Sequence, residues 1–496
     1  MKIVVYGINF APELTGIGKY TGEMADWLAA QGHEVRVVTA PPYYPAWKVD
    51  APYSAYRYKV QDGPLGLKGA SLQGSSKPCS AEGAALQPRS GDLEAAKPRL
   101  ATYKVWRCPL WVPGKVSGAK RLVHLASFAL TSLPVMLRQV FWRPDVVWMA
   151  APALMCAPGA WLTARLSGAK AVIHIQDYEV DAAFQLGLLK SPLARRFALW
   201  CERTLLRGFD VVSTISGRMV ELAKDKGVAA EKVVFFPNWV DLAAITPGDL
   251  SEGQRLRDVD VAPTNARVAS GYRVELGIPV DAVVALYSGN MGMKQGLEVL
   301  PAAAALCAEQ ASLKMQDASC KEGMRAFGAV DSTCNLKLDT CYSGLPPPVF
   351  FVFCGQGAGK AVLDAACEGL ANVRLLPLQP FERLGELLTM ADIHLLPQRA
   401  DAADLVMPSK LTGMLASARP VVATAQPGTE LADVVANCGL VVEPENPQAV
   451  AEAVLWLAGD AELRARLGAA GRAYAEQYLD REVVLGRYWA MIRPED

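Results

Sequence analysis

The chain has 496 residues, 51% of them hydrophobic, with 50 basic and 50 acidic side chains. That length exceeds one ordinary core and predicts at least two domains, and the apolar content excludes an intrinsically disordered chain. Zero net charge excludes a uniformly basic nucleic-acid binder, but it hides an asymmetry: residues 1–240 carry 29 basic and 18 acidic side chains (+11), residues 241–496 carry 21 and 32 (−11).

In chain order, the first half holds short apolar runs ending in turn residues: 2–7, 34–40, 145–150, 170–175, 210–216 and 232–237. No separate apolar leader precedes the first, which predicts a cytoplasmic protein. Tyr20–Ala30 reads as a helix stopped by Gly32. Residues 122–142 have about the length of a membrane span, but His124, Arg138, Gln139 and Pro134 argue against burial in lipid. A kinked amphipathic helix is expected there, packed on its domain or touching an anionic membrane through Arg121, Arg138 and Arg143.

The second half repeats the pattern at 283–289, 349–355, 372–377, 392–397 and 420–425. Continuous apolar strands alternating with helices predict an α/β chain of two Rossmann-like, doubly wound domains. The expected boundaries are 1–240, a linker at 241–280, 281–478, and a C-terminal helix at 479–496 returning to the first domain. Three stretches break the rhythm: 61–99, 248–272 and 310–348 are polar or Gly/Pro-rich and read as surface insertions. The eleven cysteines contain no CxxC pair and there are four histidines, so reduced surface thiols are expected and no zinc site.

Chemistry-bearing residues gather where strands end. The loop after the first strand holds Gly16 and Gly18 ahead of a helix, a setting for an anion. Its GxGxxxG spacing, and the lack of an acidic residue after Thr39, disfavour a dinucleotide dehydrogenase. The fourth run leads into His174, Gln176, Asp177, Glu179 and Asp181, where a carboxylate can take a proton or hold sugar hydroxyls. For Asp181 a helix cap is an equal reading. Gly289, Asn290 and Lys294 form a glycine-rich loop with one cation, a phosphate cradle but not a Walker loop. Gly355 opens another close-approach loop. Downstream, Pro408-Ser409-Lys410-Leu411 starts a helix that Ser409 can cap, with Lys410 nearby, and Gly428, Thr429 and Glu430 follow the next strand. Lys410 facing Lys294 would make a diphosphate site.

The ordered set TGIGKYTGEMADWLAAQGHEVRVVTA, HIQDYEVDAAFQLG, FPNWVD, YSGNMGMKQGLE, FCGQGAGK and ADAADLVMPSKLTGMLASARPVVATAQPGTELA resembles the large retaining glycosyltransferase family of GT-B fold, family four, and within it the colanic-acid biosynthesis enzymes described as fucosyltransferases. The resemblance implies two Rossmann-like domains facing across a cleft. The first takes the acceptor, with His174, Gln176 and Glu179 on that side and Asp177 orienting the acceptor. The second takes a GDP- or UDP-linked sugar. Gly16, Gly18, Gly289, Asn290, Gly355, Leu378, Ser409, Gly428, Thr429 and Glu430 then fall on the donor side, with Leu376–Leu378 at the base and Asn238 at the hinge. Lys294 and Lys410 would stabilise the leaving diphosphate.

The family's glutamate pair falls on Leu405, beside Asp404, and on Gly413, a departure from the pattern. Its cleft histidine falls on Gln176. The implied reaction moves a hexosyl group, with fucosyl as the candidate, to a polyprenyl-diphosphate-linked exopolysaccharide unit at the inner face of the plasma membrane. No cofactor, metal or nucleic acid is expected, and Asp258-Val259-Asp260 lies in a polar stretch rather than after a core strand. The alternatives are a sugar-nucleotide epimerase of the same architecture and a non-catalytic scaffold of polysaccharide assembly.

Overall fold

A computed structural model describes the chain except residues 14–15, 45, 50, 64–101, 115–117, 179, 181–191, 248–270, 293–294, 327–346, 401–406 and 495–496. The chain divides into two compact units. One comprises residues 1–174, 179–210 and 493–496, the other 175–178 and 211–492.

The first sheet holds β1 (Lys2–Tyr6), β2 (Glu34–Thr39), β3 (Lys59–Gly63), β4 (Tyr103–Arg107), β5 (Val146–Ala151), β6 (Lys170–Ile175), β7 (Val211–Thr214) and β8 (Val233–Phe235). Its order is β3-β4-β2-β1-β5-β6-β7-β8. β1 runs parallel to both β2 and β5, with Val5 opposite Val37 and Trp148. The second sheet holds β9 (Val283–Asn290), β10 (Val349–Gln356), β11 (Val373–Leu376), β12 (Ile393–Leu396), β13 (Val421–Thr424) and β14 (Gly439–Val442), in the order β11-β10-β9-β12-β13-β14. Its five pairings are all parallel.

The continuous apolar runs explain this. Every residue of β5 and β12 is buried, so both faces of those strands need cover. Helices supply it: α1 (Ile17–Ala30), α2 (Gly118–Val140), α3 (Ala157–Ser167), α4 (Pro192–Gly208) and α5 (Gly217–Asp225), then α6 (Val299–Ala326), α7 (Lys360–Ala366), α8 (Leu384–Met390), α9 (Lys410–Ala416), α10 (Glu430–Val435), α11 (Pro447–Gly459), α12 (Ala461–Tyr478) and α13 (Arg481–Ile492). The apolar core of the second sheet lies on both its faces, one around Val284, Leu286 and Met414, the other around Ala285, Tyr287 and Val454.

Several expectations need correction. The stretch from residue 61 begins as a strand, because β3 pairs antiparallel with β4. β4 reads YKVWR, alternating buried and exposed, so its charges hid it. The segment from residue 310 continues α6 to Ala326 rather than opening as a loop. Tyr272, expected in a surface insertion, is buried, with the Arg383 guanidinium 3.9 Å from its ring centroid. Among the cysteines whose side chains are described, most are not surface groups. Six of the seven described cysteines are buried, and burial pushes Cys108 and Cys307 up to about 12. Residues 122–140 are helical, with Pro134 inside α2. Among the described residues, no helix is long and apolar enough to cross a membrane.

Candidate functional site

In the second sheet the strand order reverses between β9 and β12, and such a switch point opens a crevice at the carboxyl ends of the strands. Gly289 stands opposite Gly355 there in the parallel register. A Cβ on Gly355 would lie 2.0 Å from the Gly289 carbonyl oxygen, so the two strand ends meet backbone to backbone. Gly289 itself adopts φ 124°, which glycine tolerates. Its Cα faces the Lys410 side chain, the methylenes 3.3 Å from where a Cβ would stand.

Lys410 comes from the start of α9, on the far side of the switch point. Its Nζ donates to the Tyr287 hydroxyl, to Gln295 Oε1 at 3.2 Å and to the Asn290 carbonyl at 3.4 Å. The Tyr287 hydroxyl also lies 2.6 Å from the Asn290 carbonyl. Lys410 Nζ stands 4.1 Å from the Tyr287 ring centroid. None of these partners carries a negative charge. Burial therefore pushes the ammonium down to about 7. The arrangement is a desolvated cation among neutral partners, a setting that favours an anion.

Lys410, Gly289, Asn290 and Gly355 are thus brought together. Lys294 lies outside the described residues, so its pairing with Lys410 is not part of the description. Ser409 occupies the cap position of α9, but its side chain makes no capping bond, because its backbone is already helical. A Cβ on Gly413 would stand 3.2 Å from the Leu388 side chain, so the place of the family's second glutamate faces a buried leucine here. Leu405 and Asp404 lie outside the described residues. Leu378 is half-buried just past β11.

Thr429 caps α10, accepting from the Ala432 N–H at 3.3 Å. Glu430 is already engaged: its carboxylate accepts from the Gly217 and Arg218 N–H groups, both at 3.1 Å, at the start of α5. Gly428, at φ 80°, borders open space. Gln176 donates to Asn238 Oδ1 at 3.1 Å, and Asn238, Pro408 and Glu430 line one cavity. His174 does not fit an open acceptor position. It is buried and stacked on Trp148, 5.6 Å between ring centroids. Asp177 is half-buried in the bend after β6. Glu179 and Asp181 lie outside the described residues.

In the loop after β1, Gly16 adopts φ 61° beside open space. A Cβ on Gly18 would stand 2.7 Å from the Glu13 side chain. Glu13 is 3% exposed and was absent from the expected site. It accepts from the Tyr43 and Tyr44 N–H groups, each at 3.1 Å, and from Asn9 Nδ2 at 2.9 Å, tying the loop after β1 to the loop after β2. Arg107, equally buried, donates to the carbonyls of Ala40 and Ala11 and holds the same two loops. Tyr287 and Gln295 were missed as well. All three are polar groups fixed by pairing, and nothing in their spacing announces it.

Burial pushes Glu13 up from 4.5 to about 7, against the pull of its hydrogen bonds and Arg107. A raised acid contributes stability that is fully present below the unfolded value and is lost as pH rises through the folded value. Between pH 4.5 and 7 stability should therefore fall, by roughly 3 kcal/mol from this group. Glu13→Gln should remove that slope. Denaturation midpoints at both ends of the window check it; an unchanged slope refutes it.

A model of the glycosyl transferase 4-like domain matches residues 15–239, and one of glycosyl transferases group 1 matches residues 345–460. WcaI of Escherichia coli (strain K12), a glycosyl transferase named for colanic acid biosynthesis, is 41% identical over 99% of this chain and 100% of its own. Among solved structures, sucrose-phosphate synthase from Thermosynechococcus elongatus superposes with a TM-score of 0.63 at 14% identity, covering 99% of this chain and 98% of that one. Anabaena HepE, in complex with UDP and glucose, gives 0.57 at 12% identity over 99% and 98%. With two largely parallel sheets of this order and full-length likeness to a glycosyl transferase, the chain belongs to the glycosyltransferases of GT-B fold, in the family of the 4-like and group 1 domains.

Proposed function

We propose that the protein transfers a hexosyl group, with fucosyl from a GDP donor as the first candidate and UDP-linked sugars as the next, to a polyprenyl-diphosphate-linked exopolysaccharide unit of the colanic-acid type. The acceptor would be met at the inner face of the plasma membrane. The observation that carries the reading is the Lys410 ammonium, desolvated and without an anionic partner among Tyr287, Asn290 and Gln295 at the switch point.

In this reading a nucleotide diphosphate lies over the Gly289 and Gly355 strand ends, where missing side chains let its oxygens approach the backbone. An acceptor hydroxyl attacks the anomeric carbon on the face the diphosphate leaves. The carbon–oxygen bond to the diphosphate breaks, and the acceptor proton passes to a leaving oxygen, so configuration is retained. Lys410 stabilises the developing charge, Asp177 orients the acceptor, and the step runs without a metal. The resemblance to WcaI supports the acceptor class.

The test incubates the protein with radiolabelled nucleotide sugars and membrane acceptor lipid. Label should enter the lipid fraction from one donor. No transfer from any common donor overturns the proposal, and conversion of free nucleotide sugar without acceptor would favour an epimerase.

A further inference from the structure

Helix α4 is tied to its unit by Glu202 and Leu206, both buried. Its outer side is unusual for a water-facing surface. Leu193, Phe197 and Trp200 are 78%, 65% and 61% exposed. Their spacing of four and three residues puts them on one stripe. The Phe197 and Trp200 rings stack 6.0 Å apart in solvent.

Charge on this helix has one sign outside. Arg195, Arg196, Arg203 and Arg207 are exposed, and the helix's one acid, Glu202, points inward. By helical spacing Arg196, Arg203 and Arg207 run along one flank of the stripe. Among the described residues, neither Arg196 nor Arg203 has an acidic partner within ion-pair distance. The neighbouring α3 extends the surface. It exposes Leu162 and Leu166, and it is fixed to the end of α4 by Trp161 Nε1 and Arg165, which donate to the Gly208 carbonyl at 3.0 and 2.8 Å.

We infer that the outer face of α4 docks on a lipid bilayer rich in anionic headgroups. An apolar stripe containing tryptophan and phenylalanine suits the boundary between headgroups and acyl chains. A flank of arginines suits lipid phosphates, which guanidinium groups bind in paired fashion. A protein partner would need matching acidic groups, whereas an anionic bilayer supplies both chemistries at once. The docking helix is then α4, whereas the sequence offered residues 122–142 either for packing on the domain or for a membrane contact. This inference rests on the lipid-linked acceptor for its use. The measurement below needs neither donor nor acceptor, so the two can fail separately.

The full chain is sedimented with vesicles of phosphatidylcholine, with and without phosphatidylglycerol. Binding to the anionic vesicles should exceed binding to neutral ones at least roughly tenfold and weaken with salt. The pair Phe197→Ser and Trp200→Ser, and separately the pair Arg196→Glu and Arg203→Glu, should each lower partitioning at least roughly tenfold. Thermal midpoint and nucleotide affinity should stay unchanged, and Leu130→Ser on α2 should bind as the parent does. Three results would overturn the inference: no vesicle binding by the parent, equal binding by both paired variants, or loss of binding in Leu130→Ser alone. A self-associated parent that both paired variants render monomeric, without any vesicle binding, would assign the face to a second copy instead.

Discussion

Lys410→Met should lower kcat/KM for sugar transfer by roughly a hundredfold to a thousandfold, the loss expected when one charge that stabilises a leaving group is removed from a dry site. The protein should stay folded, because the ammonium has given up water for neutral partners only: the Tyr287 hydroxyl, the Asn290 carbonyl and Gln295 Oε1. Burial holds its folded value near 7, against 10.5 when exposed. Above pH 7 the unfolded chain binds a proton there that the folded chain does not, so stability should rise with pH between 7 and 10.5. Lys410→Met should remove that rise.

Binding of a nucleotide diphosphate reverses the balance. Two phosphate charges beside Nζ favour the ammonium, so about one proton should be taken up per nucleotide bound at pH 8. Calorimetry in two buffers of different ionisation enthalpy reads that number directly. Zero uptake, together with unchanged kinetics in Lys410→Met, would remove Lys410 from the site. Lys294→Ala should also weaken nucleotide binding, as its place in the glycine-rich loop of the sequence implies.

Gly355→Ala should be the most damaging single methyl in the second unit's site. Its Cβ would stand 2.0 Å from the Gly289 carbonyl, 3.1 Å from the Gly289 carbonyl carbon and 3.3 Å from the Met291 methyl. The first of these is backbone in a paired strand, which cannot step aside as a flexible side chain could. Either β9 and β10 separate at their ends or the loop above them moves. We expect roughly 3 kcal/mol or more of destabilisation, at the upper end for overpacking. Nucleotide affinity should be lost with it, even well below the melting temperature. Normal affinity with a normal melting midpoint would mean that the strand ends are not as close as Gly289 and Gly355 place them.

Much of this was legible from the chain alone. Strands buried on both faces, such as DVVWMA and VFFVFC, show as unbroken apolar runs, because nothing polar can be tolerated on either side. Strands with one open side, such as β4, mix lysine and arginine into the run and were missed. The glycine positions Gly289 and Gly355 were readable as close approaches, but not that they approach each other. That needs the register of β9 against β10, a property of pairing between segments some sixty residues apart. Lys410 was readable as a cation near a helix start, while its lack of an anionic partner was not.

Glu13 shows the remaining gap. In the sequence it is one acidic residue in a loop. In the fold it is buried beneath Gly18, holds the N–H groups of Tyr43 and Tyr44, and shares its neighbourhood with Arg107, whose burial pushes it down to about 10. His174 erred the other way, since a histidine at a strand end resembles a cleft residue until Trp148 is found against it. The cancelling charges of the two halves were likewise visible from the start, but not which basic residues stand outside, or that Arg196 and Arg203 border a bare aromatic stripe.

By itself the sequence determined the fold class, the strand order's apolar members, the family and the loops where chemistry gathers. The fold class and the loops follow from local composition and periodicity, which each segment carries alone, and the family from the resemblance of the ordered motifs. Tertiary structure alone decided which polar groups lose water, which charges find partners and which apolar residues stay exposed. Each of those is set by what residues distant in the chain bring to the same place.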